Sequence, residues 1–214
     1  MTPGRSVCGL AGLAAAGLLI SVLTGVLHAQ ARQRITQPVD NQTLIRLPGT
    51  THPLATEAND RGRVAGGLAM DSMLLVLKSS PEQETALEQL LAEQQDPASP
   101  HYREWLTPQQ FGERFGASQQ DVDVIADWLQ DLGFRVDSVA EGRRTIEFSG
   151  TARQVENAFH TQIDRYLWNG ERHTANAVDI SIPEALAIQR TIIIFSYVLS
   201  GSLQKQSVIP PGKS

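Results

Sequence analysis

The stretch "FRVDSVAEGRRTIEFSGTARQVENAF", residues 134–159, contains three consecutive elements of one fold. Its segments "FRVDSV" and "RTIEFSG" alternate apolar and polar residues and are joined by the turn "AEGR", which predicts a β-hairpin. Thr151 then stands three residues before Gln154, which is the spacing of a helix capping box. An apolar stripe follows on the predicted helix, formed by Ala152, Val155, Ala158 and Phe159.

Upstream of this stretch, the apolar run "MDSMLLVLK", residues 70–78, predicts a buried strand. A helix is predicted to begin after it, because Ser80 supplies an N-cap, Pro81 the first helical position and Gln83 the capping-box partner. We expect this helix to end at Asp96 and to pack on the strand. Its predicted apolar face consists of Leu87, Leu90 and Leu91.

Two further elements flank the opening stretch. A helix is predicted from Ser118 to Gly133, with Asp121 in its start signal. The segment "TQIDRYLW", residues 161–168, is followed by Asn169-Gly170 and "ERHT", which is a strong hairpin signal. The apolar face of the helix before Gly133 consists of Val122, Ile125, Leu129 and Leu132.

The predicted order is therefore β-α-α-β-β-α-β, an α+β fold with a ferredoxin-like antiparallel sheet and helices on one face. The segment "HYREWLTPQQFGERFG", residues 101–116, is an insertion after the first helix. Thr107 caps its short helix, Pro108 begins it, and Gly112 and Gly116 limit its extension. Its aromatic residues are either anchors that pin the insertion to the sheet–helix layer or a patch that faces a partner: Trp105, Phe111 and Phe115.

The N-terminal residues 1–31 are predicted to be a secretory signal, since Arg5 precedes an apolar run and small residues. Cleavage is expected after Ala29 or Ala31, and an uncleaved membrane anchor is the alternative. The only cysteine, Cys8, lies in this segment, so no disulfide is expected after cleavage. Residues 32–67 are predicted to be an extended or loosely ordered lead-in, residues 68–199 the folded domain, and residues 200–214 a divergent tail.

The 214 residues carry a net charge of −5 and no run of Lys or Arg, which argues against nucleic acid as a partner. No catalytic set is recognisable either. "SGTA", residues 149–152, is similar to the nucleophile turn of subtilisin-like proteases, but Ala152 offers no hydroxyl, and capping explains Ser149. No metal or cofactor is expected, because no phosphate loop occurs and the histidines are scattered at His52, His101, His160 and His173.

Several signatures between Leu47 and Ala187 resemble the activation domain of kumamolisin-like sedolisins, the serine-carboxyl peptidases. They include "LPGTTHP", "NDRGRV", "YREWLTPQQFGERFG", "WLQDLGFRV" and "ANAVDISIPEALA". The resemblance implies a fold similar to the subtilisin prodomain and a protease domain as partner. It also implies that the chain assists folding of that protease, blocks its active site and is removed in acid. The family-signature positions are Tyr102, Trp105, Leu106, Thr107, Pro108, Phe111, Gly112, Phe115, Gly116, Ser149, Gly150 and Thr151.

Two departures limit what the resemblance implies. No residue here matches the catalytic Ser, Glu and Asp of the protease domain, and the sequence after Ala187 is unfamiliar, although Ile192 to Leu199 can form a closing strand. A truncated or frameshifted gene product would explain both departures, and a free inhibitor acting in trans is also possible on the sequence. The alternatives are a stand-alone extracytoplasmic binding module on the same fold and a small acyl-phosphate hydrolase that uses "SGTARQ".

Overall fold

A computed structural model describes residues 31–187 and 192–194. These residues form an α+β fold with antiparallel sheets, as predicted. The strands are β1 (Leu44–Arg46), β2 (Asp60–Arg63), β3 (Ala69–Val76), β4 (Arg135–Val139), β5 (Thr145–Thr151), β6 (Ile163–Trp168), β7 (Glu171–Asn176), β8 (Ser181–Pro183) and β9 (Ile192–Ile194). The helices are α1 (Pro81–Glu93), α2 (Pro108–Phe115), α3 (Gln119–Asp131), α4 (Ala152–Phe159) and α5 (Glu184–Ala187).

The main sheet has the strand order β4-β5-β3-β9, which is the ferredoxin-like order with β3 and β5 in the centre. The predicted hairpin of β4 and β5 is confirmed, and β5 pairs with β3 along its whole length. The fourth strand is β9, whose three residues pair with Leu74, Leu75 and Val76. Of the predicted closing strand, Ile192–Ile194 is confirmed, and residues 195–199 lie outside the described residues.

Residues 161–168, the last strand of the predicted β-α-α-β-β-α-β order, do not join the main sheet. They form β6, which belongs to a separate sheet of order β2-β6-β7. The predicted hairpin itself is confirmed, because Asn169 and Gly170 both have positive φ, as a tight type I′ turn requires. A third, two-stranded sheet joins β1 to β8.

One face of the main sheet is covered by α3 and α4, which share the core with it. An aromatic cluster lies at the centre, where Phe134 meets Phe148 edge to face and Trp128 meets Phe159 in the same way. Buried side chains alternate with half-buried ones at the start of β5 and, after its bulge, along β3, as expected for strands with one buried face. The main contributors are Met70, Met73, Leu75, Ile146, Phe148, Val122, Ile125, Leu129, Val155 and Phe159.

The role predicted for α1 needs correction. Its capping box and its start at Pro81 are confirmed, but it ends at Glu93, and Leu91 is exposed rather than packed on the strand. Gln83, although polar, is buried, and its Nε2 donates to the carbonyl oxygens of Arg114 and Gly116 at the end of α2. The first helix is therefore fastened to α2, and α3 takes the place of the sheet-packing helix.

The segment 32–67 is not loosely ordered. It contributes β1 and β2, and the side chain of Ile35 is buried in the core. Three acidic side chains, which we call the lead-in carboxylates, bind it from distant parts of the chain: Asp121, Glu156 and Asp179. Asp121 accepts from the backbone N–H of Arg34 and Ile35, Glu156 pairs with Arg63, and Asp179 accepts from the N–H of Thr50 and Thr51. The polar composition predicts loose order, but several backbone donors of this segment have partners elsewhere in the fold.

Candidate docking surface

The signature stretch divides into a buried and an exposed part. Thr107 caps α2 through a complete capping box with Gln110, Pro108 is its first residue, and both are exposed, as a helix start on the surface should be. Phe115 is fully buried and stacks at a tilt against the half-buried Phe111. Leu106 and Phe111 occupy the N′ and N4 positions of a hydrophobic staple, and both are half-buried. The anchor prediction therefore holds for Phe115 and, in part, for Phe111.

The prediction that these glycines limit the short helix is confirmed for Gly116, which is the C-cap of α2, and wrong for Gly112. Gly112 does not limit the helix but lies inside α2, against the turn between β4 and β5. A Cβ atom built on Gly112 would lie 2.3 Å from the carbonyl oxygen of Glu141, and one on Gly116 would lie 2.5 Å from that of Gly142. Both glycines therefore allow α2 to approach the backbone of the hairpin turn more closely than any other residue could.

We expect Gly112→Ala to lower the free energy of unfolding by about 2–3 kcal/mol, because the contacted atom is backbone and cannot move aside as a flexible side chain does. Gly67→Ala is the matched control, since a Cβ there meets nothing within 4 Å and the φ of Gly67 is ordinary. The control should change the unfolding free energy by less than about 0.5 kcal/mol. Urea denaturation measures both, and equal stability of the two variants would disprove the close approach.

Trp105 is not an anchor. It is 72% exposed, the highest value among the exposed large apolar side chains in the described residues. Its segment is nevertheless fixed, because the buried side chain of Gln94 donates to the carbonyl oxygen of Glu104, and the N–H of Arg103 donates to the carbonyl of Gln94. This geometry favours the second sequence interpretation, an aromatic side chain held toward a partner. The staple spacing of Leu106 and Phe111 around the N-cap Thr107 is the sequence signal that could have identified Phe111, and not Trp105, as a residue that packs on its own chain.

Next to Trp105, Tyr102 is also exposed, and the guanidinium of Arg103 lies 5.0 Å from the centre of its ring. Arg103 has a positive φ of 59°, which is uncommon for a residue with a side chain. Tyr102 and Trp105 thus lie close together in the chain on an ordered surface segment. We call this segment, residues 102–106, the aromatic ledge.

At the other signature, Ser149 does not cap a helix. Thr151 makes the capping box of α4, as predicted, and Gly150 packs so closely on Phe134 that a Cβ would lie 2.6 Å from its ring. The Ser149 hydroxyl donates to Asp137 and accepts from the N–H of Ser72, whose φ is +55° at a bulge of β3. With this hydroxyl and Arg135 as donors, the pKa of Asp137 lies below its usual value. Ser149 thus fixes an irregular strand and has no histidine partner among these bonds.

The face of the main sheet opposite α3 and α4 is only half-buried. Leu74 lies directly across from Glu147, and Val76 across from Thr145, so that apolar and polar side chains alternate on it. Ser138 on β4 donates to Glu147 and extends this surface to the sheet edge. We call these five residues the open sheet face. It is broad, partly apolar and suited to contact with another protein surface.

The hydrolase alternative requires a free anion site at the start of α4, and the structure fills that position. The N–H of Ala152 donates to the carbonyl of Leu68, that of Arg153 to Gly66, and that of Gln154 to the Thr151 side chain. These are the donors that an anion at a helix N-terminus would bind. The glycine-rich segment before β3 therefore covers the helix start, and nothing in this geometry favours phosphate chemistry.

The remaining candidates for chemistry are dispersed. Within residues 31–187 and 192–194, no group of three or more His, Cys, Asp or Glu side chains is arranged to hold a metal ion. No helix in the same part of the chain has both the length and the apolar character to cross a membrane. The predicted signal and its alternative, a membrane anchor, fall on residues 1–31, of which all but Ala31 lie outside the described part.

Comparison with known proteins agrees with the fold and with the signature stretches. Residues 56–194 match the family described as "Pro-kumamolisin, activation domain". The chain is 40% identical to xanthomonalisin from Xanthomonas sp. (strain T-22) over 101 residues, which are 47% of this chain and 12% of that protein. It is 27% identical to sedolisin from Pseudomonas sp. (strain 101) over 143 residues, which are 65% of this chain and 24% of that protein.

A third relative, aorsin from Aspergillus oryzae (strain ATCC 42149 / RIB 40), is 27% identical over 79 residues, 36% of this chain and 12% of that protein. The chain thus matches a quarter or less of the length of these curated relatives. The family match, by contrast, spans well over half of this chain and nearly all of the described fold. The chain belongs to the pro-kumamolisin activation domains, the activation-domain family of the sedolisin-type peptidases.

Proposed function

We propose that the chain is the propeptide of an exported serine-carboxyl peptidase. In this function it assists the folding of the peptidase domain, covers its active site and is released in acid, either in cis or as a free copy in trans. Export would rely on the predicted signal segment, residues 1–31. The chain itself would be no enzyme, since the family match is to an activation domain and Ala152 stands where a nucleophile would be required.

The family match over residues 56–194 carries this proposal, and two surfaces support it. The open sheet face offers a half-buried area of mixed polarity, and the aromatic ledge offers Trp105 as a single large apolar side chain for contact with a partner. Exposed aromatic side chains on ordered backbone are typical of the few residues that dominate binding energy at protein interfaces.

A stand-alone binding module is the second candidate, because an exposed tryptophan on a fixed segment would serve any protein partner. The two functions differ in one measurable property. A propeptide inhibits a peptidase of its family, whereas an unrelated binding module does not.

The test is inhibition of mature xanthomonalisin by the full chain in trans, with a fluorogenic peptide as substrate, over a range from about pH 3 to about pH 7. We expect dose-dependent inhibition that is strongest toward neutral pH, and no hydrolysis by the chain alone. Absence of inhibition across the whole range would reject the propeptide function for this peptidase and favour the binding module.

Trp105→Ala should weaken inhibition by about tenfold or more, since truncation of an interface tryptophan commonly costs 2 kcal/mol or above. It should leave the melting temperature nearly unchanged, because the side chain is already in water. Val178→Ala, at another exposed apolar position, is the control and should inhibit like the unaltered chain. If both variants inhibit equally well, Trp105 is not part of the interface.

A further inference from the structure

A second surface, separate from the aromatic ledge, carries a concentration of positive charge. A groove of about 320 Å³ runs on the β2-β6-β7 sheet and is lined by Arg61, Arg165, Tyr166, Leu167 and Arg172. Each of these three strands supplies one arginine. We call this feature the arginine groove.

The sequence builds the groove through a bulge in β2. Asp60 pairs with Tyr166 and Arg63 with Asp164, so three steps along β2 match two steps along β6. The extra residue is accommodated at Gly62, whose φ is +87° and whose N–H donates to the Asp60 side chain. In a regular strand, Arg61 and Arg63 would point to the same face of the sheet, but the bulge directs their side chains to different places. Arg63 reaches Glu156 on α4, while Arg61 lines the groove.

Within the described part of the chain, no ion pair within 4.0 Å involves any of the three groove arginines. The guanidinium groups of Arg61 and Arg165 donate to main-chain carbonyls. The carboxylates nearest in sequence are engaged elsewhere. Asp60 accepts from Gly62, Asp164 accepts from Gln162, and the carboxylate of Glu171 lies 3.9 Å from the imidazole of His173.

Such an arrangement has an electrostatic cost in the free chain. Like charges on neighbouring strands repel one another, and no carboxylate among the described residues pairs with them within 4.0 Å. Arginine, rather than lysine, fills all three positions, and its planar fork binds a carboxylate through two parallel hydrogen bonds. Leu167 and Tyr166 add apolar surface, which strengthens such a pair by excluding water.

The charge around the groove restricts the kind of anion that fits. The chain as a whole has a net charge of −5, and Asp60, Asp164 and Glu171 lie on the same three strands. A long polyanion or an anionic membrane would meet these acidic groups as well as the arginines. A short acidic segment of a protein places its charge only where the arginines are.

We propose that the arginine groove binds a carboxylate-rich surface segment of the peptidase domain and so provides a second point of attachment. The identity of the partner rests on the proposed function, whereas the preference for protein carboxylates rests on the groove alone. Two attachment points on one domain raise affinity beyond either alone, because the second contact forms within a complex already made.

The experiment compares two charge-matched triple variants of the full chain. R61Q/R165Q/R172Q removes the groove charges, and R32Q/R144Q/R153Q removes three arginines elsewhere. Binding of a hexaglutamate peptide is measured by isothermal titration at about pH 7 and low ionic strength, where screening is weak. Inhibition of mature xanthomonalisin is measured in parallel, and phosphatidylglycerol vesicles and duplex DNA serve as competing anions.

We expect the groove variant to bind hexaglutamate about tenfold or more weakly and to inhibit the peptidase correspondingly less, with the control variant close to the unaltered chain. If both variants lose the same affinity for hexaglutamate, the effect is due to net charge and not to the groove, and the proposal is overturned. Tighter binding of vesicles or DNA than of hexaglutamate would overturn the protein assignment. Groove-dependent peptide binding without any inhibition by the unaltered chain supports the carboxylate site and rejects the proposed function.

Discussion

Replacement of Asp121 by alanine is expected to lower the free energy of unfolding by about 3 kcal/mol. Asp121 is completely buried, and its carboxylate accepts from the N–H of Arg34 at 3.0 Å and from the N–H of Ile35 at 2.7 Å. Alanine leaves these donors without a partner, which costs about 1–3 kcal/mol for each buried group. It also releases the irregular segment that holds the buried Ile35 in the core.

Asp123→Ala is the control on the same helix. Asp123 is exposed, and its carboxylate accepts a hydrogen bond from the Gln119 side chain alone among the described contacts. Its replacement should change stability by less than about 0.5 kcal/mol. Asp121→Asn should fall between the two, since its amide oxygen still accepts one bond. Chemical denaturation ranks the variants, and amide hydrogen exchange at Arg34 and Ile35 should be fast in Asp121→Ala. Slow exchange there would show that other contacts hold the lead-in.

Acid is expected to release the lead-in segment before the core unfolds. Glu156 binds Arg63 through both of its oxygens, at 3.0 and 2.7 Å, and accepts from the N–H of Ile163. The hydrogen bond from Arg63 is the main cause that lowers the pKa of Glu156 in the folded chain. For Asp179, burial alone would raise the pKa, but hydrogen bonds from Thr51, Gly49 and Thr50 together bring it below the usual value.

Both groups therefore have a lower pKa folded than unfolded, and this fixes the direction of the pH effect. Their contribution to stability is fully present above the unfolded pKa values of about 4.3 for Glu and 3.9 for Asp. It is lost as pH falls through the lower, folded values. Stability should thus be level from about pH 7 to about pH 5 and decline below about pH 4. Hydrogen exchange of β2 should become fast in that lower range while the amides of β5 stay protected.

The matched variants are Glu156→Gln and Glu57→Gln. The first should lower stability near neutral pH by about 1–2 kcal/mol, a value moderated by the exposure of Arg63, and should flatten the decline in acid. The second alters an exposed carboxyl group and should leave both the stability and its pH profile as they are. If the stability of Glu156→Gln depends on pH in the same way as that of the unaltered chain, groups other than Glu156 cause the loss of stability in acid.

The helix-start signals of the sequence predict the structure correctly, whereas the sheet to which residues 161–168 belong is not predicted. Ser80, Thr107 and Thr151 each form a complete capping box, because both partners lie within four residues and need no other part of the fold. The choice of β9 over β6 as the fourth strand depends on pairing between residues more than a hundred positions apart. No local pattern distinguishes these two apolar segments.

For the candidate docking surface, too, the sequence predicts local features but not burial that depends on distant residues. Phe115 and Trp105 are both aromatic residues of one signature stretch, yet one is fully buried and the other is 72% exposed. This difference in burial depends on the close contact of Gly112 and Gly116 with the β4–β5 turn, which lies about 25 residues downstream. Asp121 likewise has the sequence pattern of a helix-start residue, whereas in the structure its carboxylate accepts hydrogen bonds from the N–H groups of Arg34 and Ile35. In each case burial is decided by a distant partner.

The position of β3 in the main sheet also determines how long this strand remains unpaired while the chain is synthesised. β3 is central, but its neighbour β5 follows about 70 residues later and β9 more than a hundred residues later. At a synthesis rate of about 5–20 residues per second, β3 emerges several seconds before its first partner strand and longer still before its second. Throughout that interval the apolar run of residues 73–77 has no strand beside it. The nascent chain is therefore most open to wrong pairing or aggregation at this stage, and a chaperone that binds extended apolar segments would act on β3 first.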